Sequence, residues 1–378
     1  MVDFHLSEAQ SARRQNTLRQ AAEAFPPGRQ PGAFDREDWN TMGALGLLGT
    51  CLPAEFGGGG LGALDTALVI EAFGRACTDT GLVFAASAHQ FACAVPIAEF
   101  GSKAVRLRWL PDLASGAAIA GNAMTEPDSG SDVSRLKVTA HQVAGGWRLD
   151  GTKSFVSNGP VCDVLVTYAT TDPDMGHLGQ TAFVVDAQAP GVRRSEPFDK
   201  MGLWSCRAGT VDFENCFVPD DHVLGQPGAG AAIFQASMGW ERACLFAGYV
   251  GLLDRLVDRC TAFARERRQS GRPIGSFQAV SHRIVDMKLR LESARLLLYR
   301  ACAEMDSGSR AVLPVALAKL AVSEAAVASA VDAVRVFGGR GYLADHGIEA
   351  ALRDSVPAVL FSGTSEMQKE IAAKELGL

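Results

Sequence analysis

Residues 123 to 132 read Ala-Met-Thr-Glu-Pro-Asp-Ser-Gly-Ser-Asp. Pro127 and the Asp128-Ser129-Gly130 run after it cannot continue a helix, so the stretch is expected to be a loop. Such a loop leaves backbone N–H groups and the hydroxyls of Thr125 and Ser131 free to face a ligand. Read alone, the same residues also describe a polar surface turn between two strands. A second segment, Gly151-Thr-Lys-Ser-Phe-Val-Ser-Asn-Gly159, places an aromatic, a β-branched residue and a hydroxyl ahead of an Asn-Gly turn.

Together the two segments resemble the acyl-CoA dehydrogenase family. Further matches in the same order are Val-Pro-Asp-Asp-His-Val-Leu-Gly at 218 to 225, Arg-Val-Phe-Gly-Gly-Arg-Gly-Tyr at 335 to 342 and Phe-Ser-Gly-Thr-Ser-Glu at 361 to 366, so the resemblance spans nearly the whole chain. It implies FAD as cofactor, with Met124, Thr125, Gly130, Ser131, Phe155 and Ser157 as flavin contacts. It also implies that Arg267 reaches the FAD pyrophosphate of a neighbouring subunit, a task suited to a guanidinium. Gln278, Arg335, Gly338 and Gly339 match positions along the adenine and ribityl portions, and Thr364 and Glu366 positions near the adenosine end. Arg335 departs from the Gln usual there.

Working outward, the chain has 378 residues, 47% hydrophobic and 21% charged, which fits a compact enzyme of two or three domains and excludes a disordered protein. A formal charge of -6 gives no basic field for nucleic acid. The local cluster Arg265, Arg267, Arg268 and Arg272 suits a pyrophosphate, an acidic protein or simply a solvated helix end. Nine cysteines, without a Cys-x-x-Cys pair, give neither a disulfide framework nor a zinc site, and a cytoplasmic location is expected. The start, Met-Val-Asp-Phe-His-Leu-Ser-Glu, is acidic where an export signal would be basic. The longest uncharged apolar stretch is read as Ala243 to Leu253, about half of what a bilayer demands, so no membrane contact is expected.

The first 119 residues carry helical patterns broken at Pro26-Pro27, Leu52-Pro53 and Gly57 to Gly60, with Gly62 to Gly74 spaced as a one-sided helix. From about 120 to 230 the runs become short and β-rich, as in Val164-Leu-Val-Thr-Tyr-Ala and Thr181-Ala-Phe-Val-Val. Beyond 230 the chain turns Ala-, Leu- and Arg-rich with helical spacing, broken near 271 to 275, 307 to 309 and 338 to 347. The expectation is an α+β protein with the acyl-CoA dehydrogenase fold. An N-terminal helical domain covers 1–119, a middle antiparallel β-barrel domain 120–230 and a C-terminal four-helix bundle 231–378.

Removing a proton α to a thioester needs a carboxylate in a dry pocket, where desolvation strengthens it as a base. Most family members carry that Glu just before the Gly-Thr of the C-terminal motif, where this chain has Ser362. Isovaleryl-type members use a Glu preceding an Arg on the first bundle helix, and Glu241-Arg242 matches it. Read without the family, Glu241-Arg242 is also a plausible helix-surface ion pair. However, Glu241 is the sole acid between Asp221 and Asp254, among Met238, Trp240, Cys244, Leu245 and Phe246, all suited to burial. The resemblance implies that Glu241 takes the α-proton while the β-hydrogen leaves as hydride to the flavin, with the carbonyl polarised by a ribityl hydroxyl and a backbone N–H near Ser362.

Within the family the text is most similar to dehydrogenases that oxidise L-prolyl groups on a peptidyl carrier protein to pyrrolyl thioesters. The similar stretches begin at Leu61, Phe277 and Phe361, while Met201-Gly-Leu-Trp-Ser-Cys-Arg departs from the acyl-CoA pattern. An acyl or aminoacyl carrier protein is therefore the expected substrate handle. Open alternatives are a catabolic short or branched acyl-CoA dehydrogenase passing electrons to an electron-transfer flavoprotein, and a flavin oxidase or monooxygenase on the same scaffold. A homotetramer is implied.

Overall fold

The computed structural model describes residues 5–26, 32 and 34–378. Met1 to Phe4 of the acidic start, and Pro27 of the Pro26-Pro27 break, lie outside the described residues. The N-terminal helices are α1 (Glu8–Ala24), α2 (Arg36–Ala44), α3 (Ala63–Ala76), α4 (Thr80–Ser87), α5 (Val95–Phe100) and α6 (Lys103–Ser115). Ser7 starts α1 with a reciprocal capping box to Gln10, and Asp79 caps α4 by accepting from Leu82 N at 3.0 Å. A π-helical segment, Ala88–Ala94, fuses α4 and α5 into one rod.

That rod corrects the expectation about apolar stretches. The 21-residue helix Thr80–Phe100 contains an 18-residue window of mean hydropathy 1.5, and one in Val312–Tyr342 reaches 1.6, so among the described residues two helices are long and apolar enough to cross a membrane. The window on Thr80–Phe100 is 94% buried within the protein, which makes it a core helix.

Eight strands follow: β1 (Ala120–Ala123), β2 (Thr139–Val143), β3 (Gly146–Ser157), β4 (Val164–Thr170), β5 (Gln180–Asp186), β6 (Val192–Arg194), β7 (Ala208–Pro219) and β8 (Val223–Leu224). Their order is β6-β7-β3-β1-β4-β5-β8, with β2 also pairing both β3 and β4. The sheet is mixed, against the expected antiparallel barrel: β1 and β4 run parallel, with Ala120 opposite Val164 and Ala123 opposite Thr167. The β2–β3 hairpin between them reverses the chain twice and returns β4 in the direction of β1. Among the described residues no pairing joins the outer strands β6 and β8.

The C-terminal part is α7 (Gly230–Trp240), α8 (Phe246–Glu266), α9 (Gln278–Asp306), α10 (Val312–Phe337), α11 (Ile348–Ser355) and α12 (Ser365–Glu375). Here α8, α9 and α10 pack on one another, α12 lies on α10, and α3 lies on α8. The α3–α8 crossing is close because glycines line it. A Cβ on Gly74 would sit 2.3 Å from Gly248 O, and one on Gly251 2.2 Å from Glu71 O. Beside it, the buried Glu71 carboxylate accepts from Arg14 at 3.0 Å, from Arg295 at 3.2 Å and from Tyr299 at 2.6 Å, tying α1 and α9 to α3.

Candidate active site

Between α7 and α8 the helix does not break but widens into a π turn, Glu241–Leu245, a distortion frequent at functional sites. Glu241 is only 7% exposed. Aromatic rings enclose this region: Phe91 stacks on Trp240 at 6.4 Å, and Phe361 lies 4.6 Å from Phe84 and 5.3 Å from Phe246. The two π segments, 88–94 and 241–245, pack against each other. Burial pushes the Glu241 carboxyl above the usual carboxylate range, opposed in order by a hydrogen bond from Ser362 and by the charges of Arg242 and Lys319. A carboxylate in that state is a base strengthened by its surroundings.

Ser362 is where the structure adds most to the sequence. Its Oγ donates to Glu241 Oε1, so the serine at one of the two expected base positions touches the glutamate at the other. Arg242 Nε donates to Ser362 O at 3.0 Å, and Gln368 Nε2 to the carbonyls of Ser362 and Gly363 at 3.2 and 3.1 Å. The turn is left-handed at both residues, with φ of 57° at Ser362 and 86° at Gly363. Thr364 then caps α12, its Oγ1 accepting from Met367 N at 3.3 Å. Glu366 is exposed in the first turn, and N–H donation and the Thr364 hydroxyl hold its carboxyl below the usual range.

Sequence reasoning missed Lys319. It is wholly buried on α10, with its Nζ 5.3 Å over the Phe246 ring and without a hydrogen-bond partner. Burial, then the nearby Arg242 charge, pulls its pKa down to about 8. In the sequence it reads as one lysine in an alanine-rich helix, and only the packing of α10 against the 241–245 turn reveals it.

The middle-sheet residues form a second group. Lys153 Nζ donates to Met124 O at 2.9 Å and to Glu126 Oε1 at 2.8 Å, and Ser154 N donates to Thr125 O at 2.8 Å. Glu126 also accepts from Lys137 N at 2.6 Å and Val138 N at 3.0 Å, so one buried carboxylate holds both ends of the 124–138 loop. Glu126 and Ser129 close a turn by exchanging backbone hydrogen bonds of 2.9 and 3.1 Å, and Gly130 and Ser131, just beyond it, are exposed. The register of β3 on β7 slips between Lys153 and Val156, and this bulge puts Phe155 at φ 54° and turns its ring outward. Phe155 is 67% exposed, its only ring neighbour among the described residues being Phe198 at 5.3 Å. Ser157 pairs with Asn122, whose buried Oδ1 has no partner. Directly paired residues share a face, so Asn122 belongs with this group although it was not singled out in the sequence.

A third group sits at one end of the helical part. Arg267 ends α8, and Gln278 opens α9 at the surface. Between them a two-residue hairpin, Arg268–Gln269 with Arg272–Pro273, adjoins a cavity of about 380 Å³ lined by Arg265, Gly275 and Ser281 among others. The α10 terminus reaches the same end, where Phe337 stacks on Phe263 at 4.2 Å. Exposed Arg335 lies 3.6 Å from Asp332, and Gly338 and Gly339 have open space where a Cβ would stand. Among the described residues no hydrogen bond joins this group to the middle-sheet group.

Comparison with known proteins places this geometry. Residues 7–117, 121–216 and 228–377 match the N-terminal, middle and C-terminal domains of acyl-CoA dehydrogenase. An L-prolyl-[peptidyl-carrier protein] dehydrogenase of Pseudomonas fluorescens is 57% identical over 91% of both chains. Its counterpart from Serratia is 42% identical over 100% of this chain and 99% of that one. A solved structure of PigA with FAD and proline superposes with a TM-score of 0.98 at 42% identity, covering 100% of both chains.

Proposed function

The chain belongs to the acyl-CoA dehydrogenase family, and on that premise we propose that it is an FAD-dependent dehydrogenase desaturating the Cα–Cβ bond of a prolyl thioester on a peptidyl carrier protein. The observation that carries the reaction class is the buried, proton-seeking Glu241 beside the Ser362 turn. The substrate class is supported by the Pseudomonas and Serratia relatives and by the PigA structure holding FAD and proline.

The residues fit a flavin. Phe155 offers an exposed aromatic face on a bulge, and Asn122 Oδ1 is a buried acceptor without a partner on the face of Ser157. FAD, when bound, supplies the two-electron acceptor for the β-hydrogen. Met124, Thr125, Gly130, Ser131, Phe155 and Ser157 would hold its ring system. Glu241 removes the α-proton at its carboxylate, and the aromatic enclosure of Phe84, Phe91, Trp240 and Phe361 keeps water from competing for it. Arg242 and Gln368 hold the Ser362–Gly363 turn against the base.

We extend the reading to a homotetramer. Val285, Leu289 and Leu296 are exposed along α9, an arrangement suited to a subunit interface. Across it, Arg267 would reach the pyrophosphate of a neighbour's FAD, while Gln278, Arg335, Gly338 and Gly339 would line the adenine and ribityl portions and Thr364 and Glu366 the adenosine end. We take the domain limits at 119/120 and 230/231, and a cytoplasmic location, which nine unpaired thiols support.

The test compares prolyl-carrier protein with a panel of acyl-CoAs as reductants of the bound flavin under anaerobic conditions. Flavin bleaching by prolyl-carrier protein, with pyrrolyl thioester as product, is expected. Equal rates with acyl-CoA would transfer the protein to the catabolic reading.

A further inference from the structure

Ser362 occupies a position that chemistry would otherwise give to glycine. At φ 57° any L side chain is strained. The hydroxyl this strain supports is turned onto the Glu241 carboxylate. Its backbone cannot drift, because Ser362 O is held by Arg242, the residue adjoining the base, and by Gln368 on α12. The contact therefore joins two elements 121 residues apart through one side chain.

We propose that Ser362 is a positioning residue for the base: its hydroxyl fixes the orientation of the Glu241 carboxylate and keeps it ionised. The proposal rests on the reading of Glu241 as base and deepens it. A donor to a carboxylate favours the charged form, whereas burial disfavours it. The other groups that act on Glu241 are Arg242 on its own turn and Lys319 on α10, whose positive charges work in the same direction. Cys93 of the 88–94 segment and Tyr168 on β4 also sense the Glu241 charge, and burial pushes both up, so they stay neutral. Ser362 is the one hydrogen-bond donor to the Glu241 side chain among the described residues.

The test uses holoenzyme carrying Ser362→Ala, and Ser362→Gly, which relieves the backbone strain. Anaerobic flavin bleaching by prolyl-carrier protein is followed against pH. Loss of the donor should move the acidic limb up by about one to two pH units, with the rate recovering at alkaline pH. In a Glu241→Gln background, Ser362→Ala should add nothing further. Independently of turnover, difference infrared titration of the oxidised holoenzyme should show a protonated-carboxyl band persisting to higher pH in Ser362→Ala than in wild type and missing in Glu241→Gln. An unmoved limb and band, or a loss of rate equal at every pH, would overturn the proposal. Undiminished bleaching in Glu241→Gln would instead overturn the base reading, and the infrared comparison would still decide whether Ser362 controls this carboxyl.

Discussion

Lys153→Met removes the cation that neutralises a buried carboxylate under the 124–138 loop. Lys153 and Glu126 side chains are 0% and 2% exposed, with Nζ 2.8 Å from Oε1. Breaking a buried pair from one side typically costs about 3–5 kcal/mol, because the remaining charge stays desolvated. Glu126 keeps its two backbone donors, Lys137 N and Val138 N, which places the expected loss near the lower end, about 3 kcal/mol. Adding Glu126→Gln to that variant neutralises the orphan charge, although the amide oxygen can keep only one of those donors, since Lys137 N bonds Oε2 and Val138 N bonds Oε1, so a part of the loss, about 1 kcal/mol or more, should return. Urea unfolding followed by tryptophan fluorescence, to which Trp147 on β3 contributes, measures both variants. A loss below about 1 kcal/mol in Lys153→Met, or a double variant as unstable as the single one, would refute the reasoning.

His89 is buried between Leu113 O at 3.1 Å and Ala120 N at 2.9 Å, which requires Nε2–H to donate and Nδ1 to accept, and burial lowers its pKa to about 4. The unfolded chain therefore binds the extra proton first, and stability should fall by about 3 kcal/mol between pH 6.5 and pH 4, a slope that His89→Gln should flatten in acid unfolding curves. Glu241 carries the opposite sign: with its folded pKa raised, wild type loses stability as pH rises through the window above about 4.3. Glu241→Gln should accordingly melt higher than wild type near neutral pH and equal to it in acid, as read by calorimetry. Phe155→Ala should leave the apoprotein melting temperature nearly unchanged, since the ring is mostly exposed, yet weaken FAD binding measured by flavin fluorescence.

What was legible in the sequence was local. Gly62 to Gly74 announced α3, the 164–169 run announced β4, and the lone acid among large apolar residues announced the burial of Glu241. Features that depend on register or distant packing were not. A π turn continues the apolar pattern of its helix, so neither Ala88–Ala94 nor Glu241–Leu245 leaves a mark in spacing. The slip that turns Phe155 outward exists only against β7, and the parallel β1–β4 pair only after the β2–β3 hairpin has formed. Serine in place of the usual glutamate at 362 turned the expectation of a base toward Glu241. That the same serine touches the Glu241 carboxylate from 121 residues away required the fold.

The most direct measurement is rapid anaerobic mixing of FAD-loaded Glu241→Gln with prolyl-carrier protein, beside wild type, monitored at the flavin absorbance. Gln preserves the shape and the acceptor for Ser362 but cannot take the α-proton, so bleaching should fall by at least about a hundredfold while FAD content stays equal. Near-normal bleaching in that variant would contradict the assignment of Glu241 as the base on which the mechanism depends.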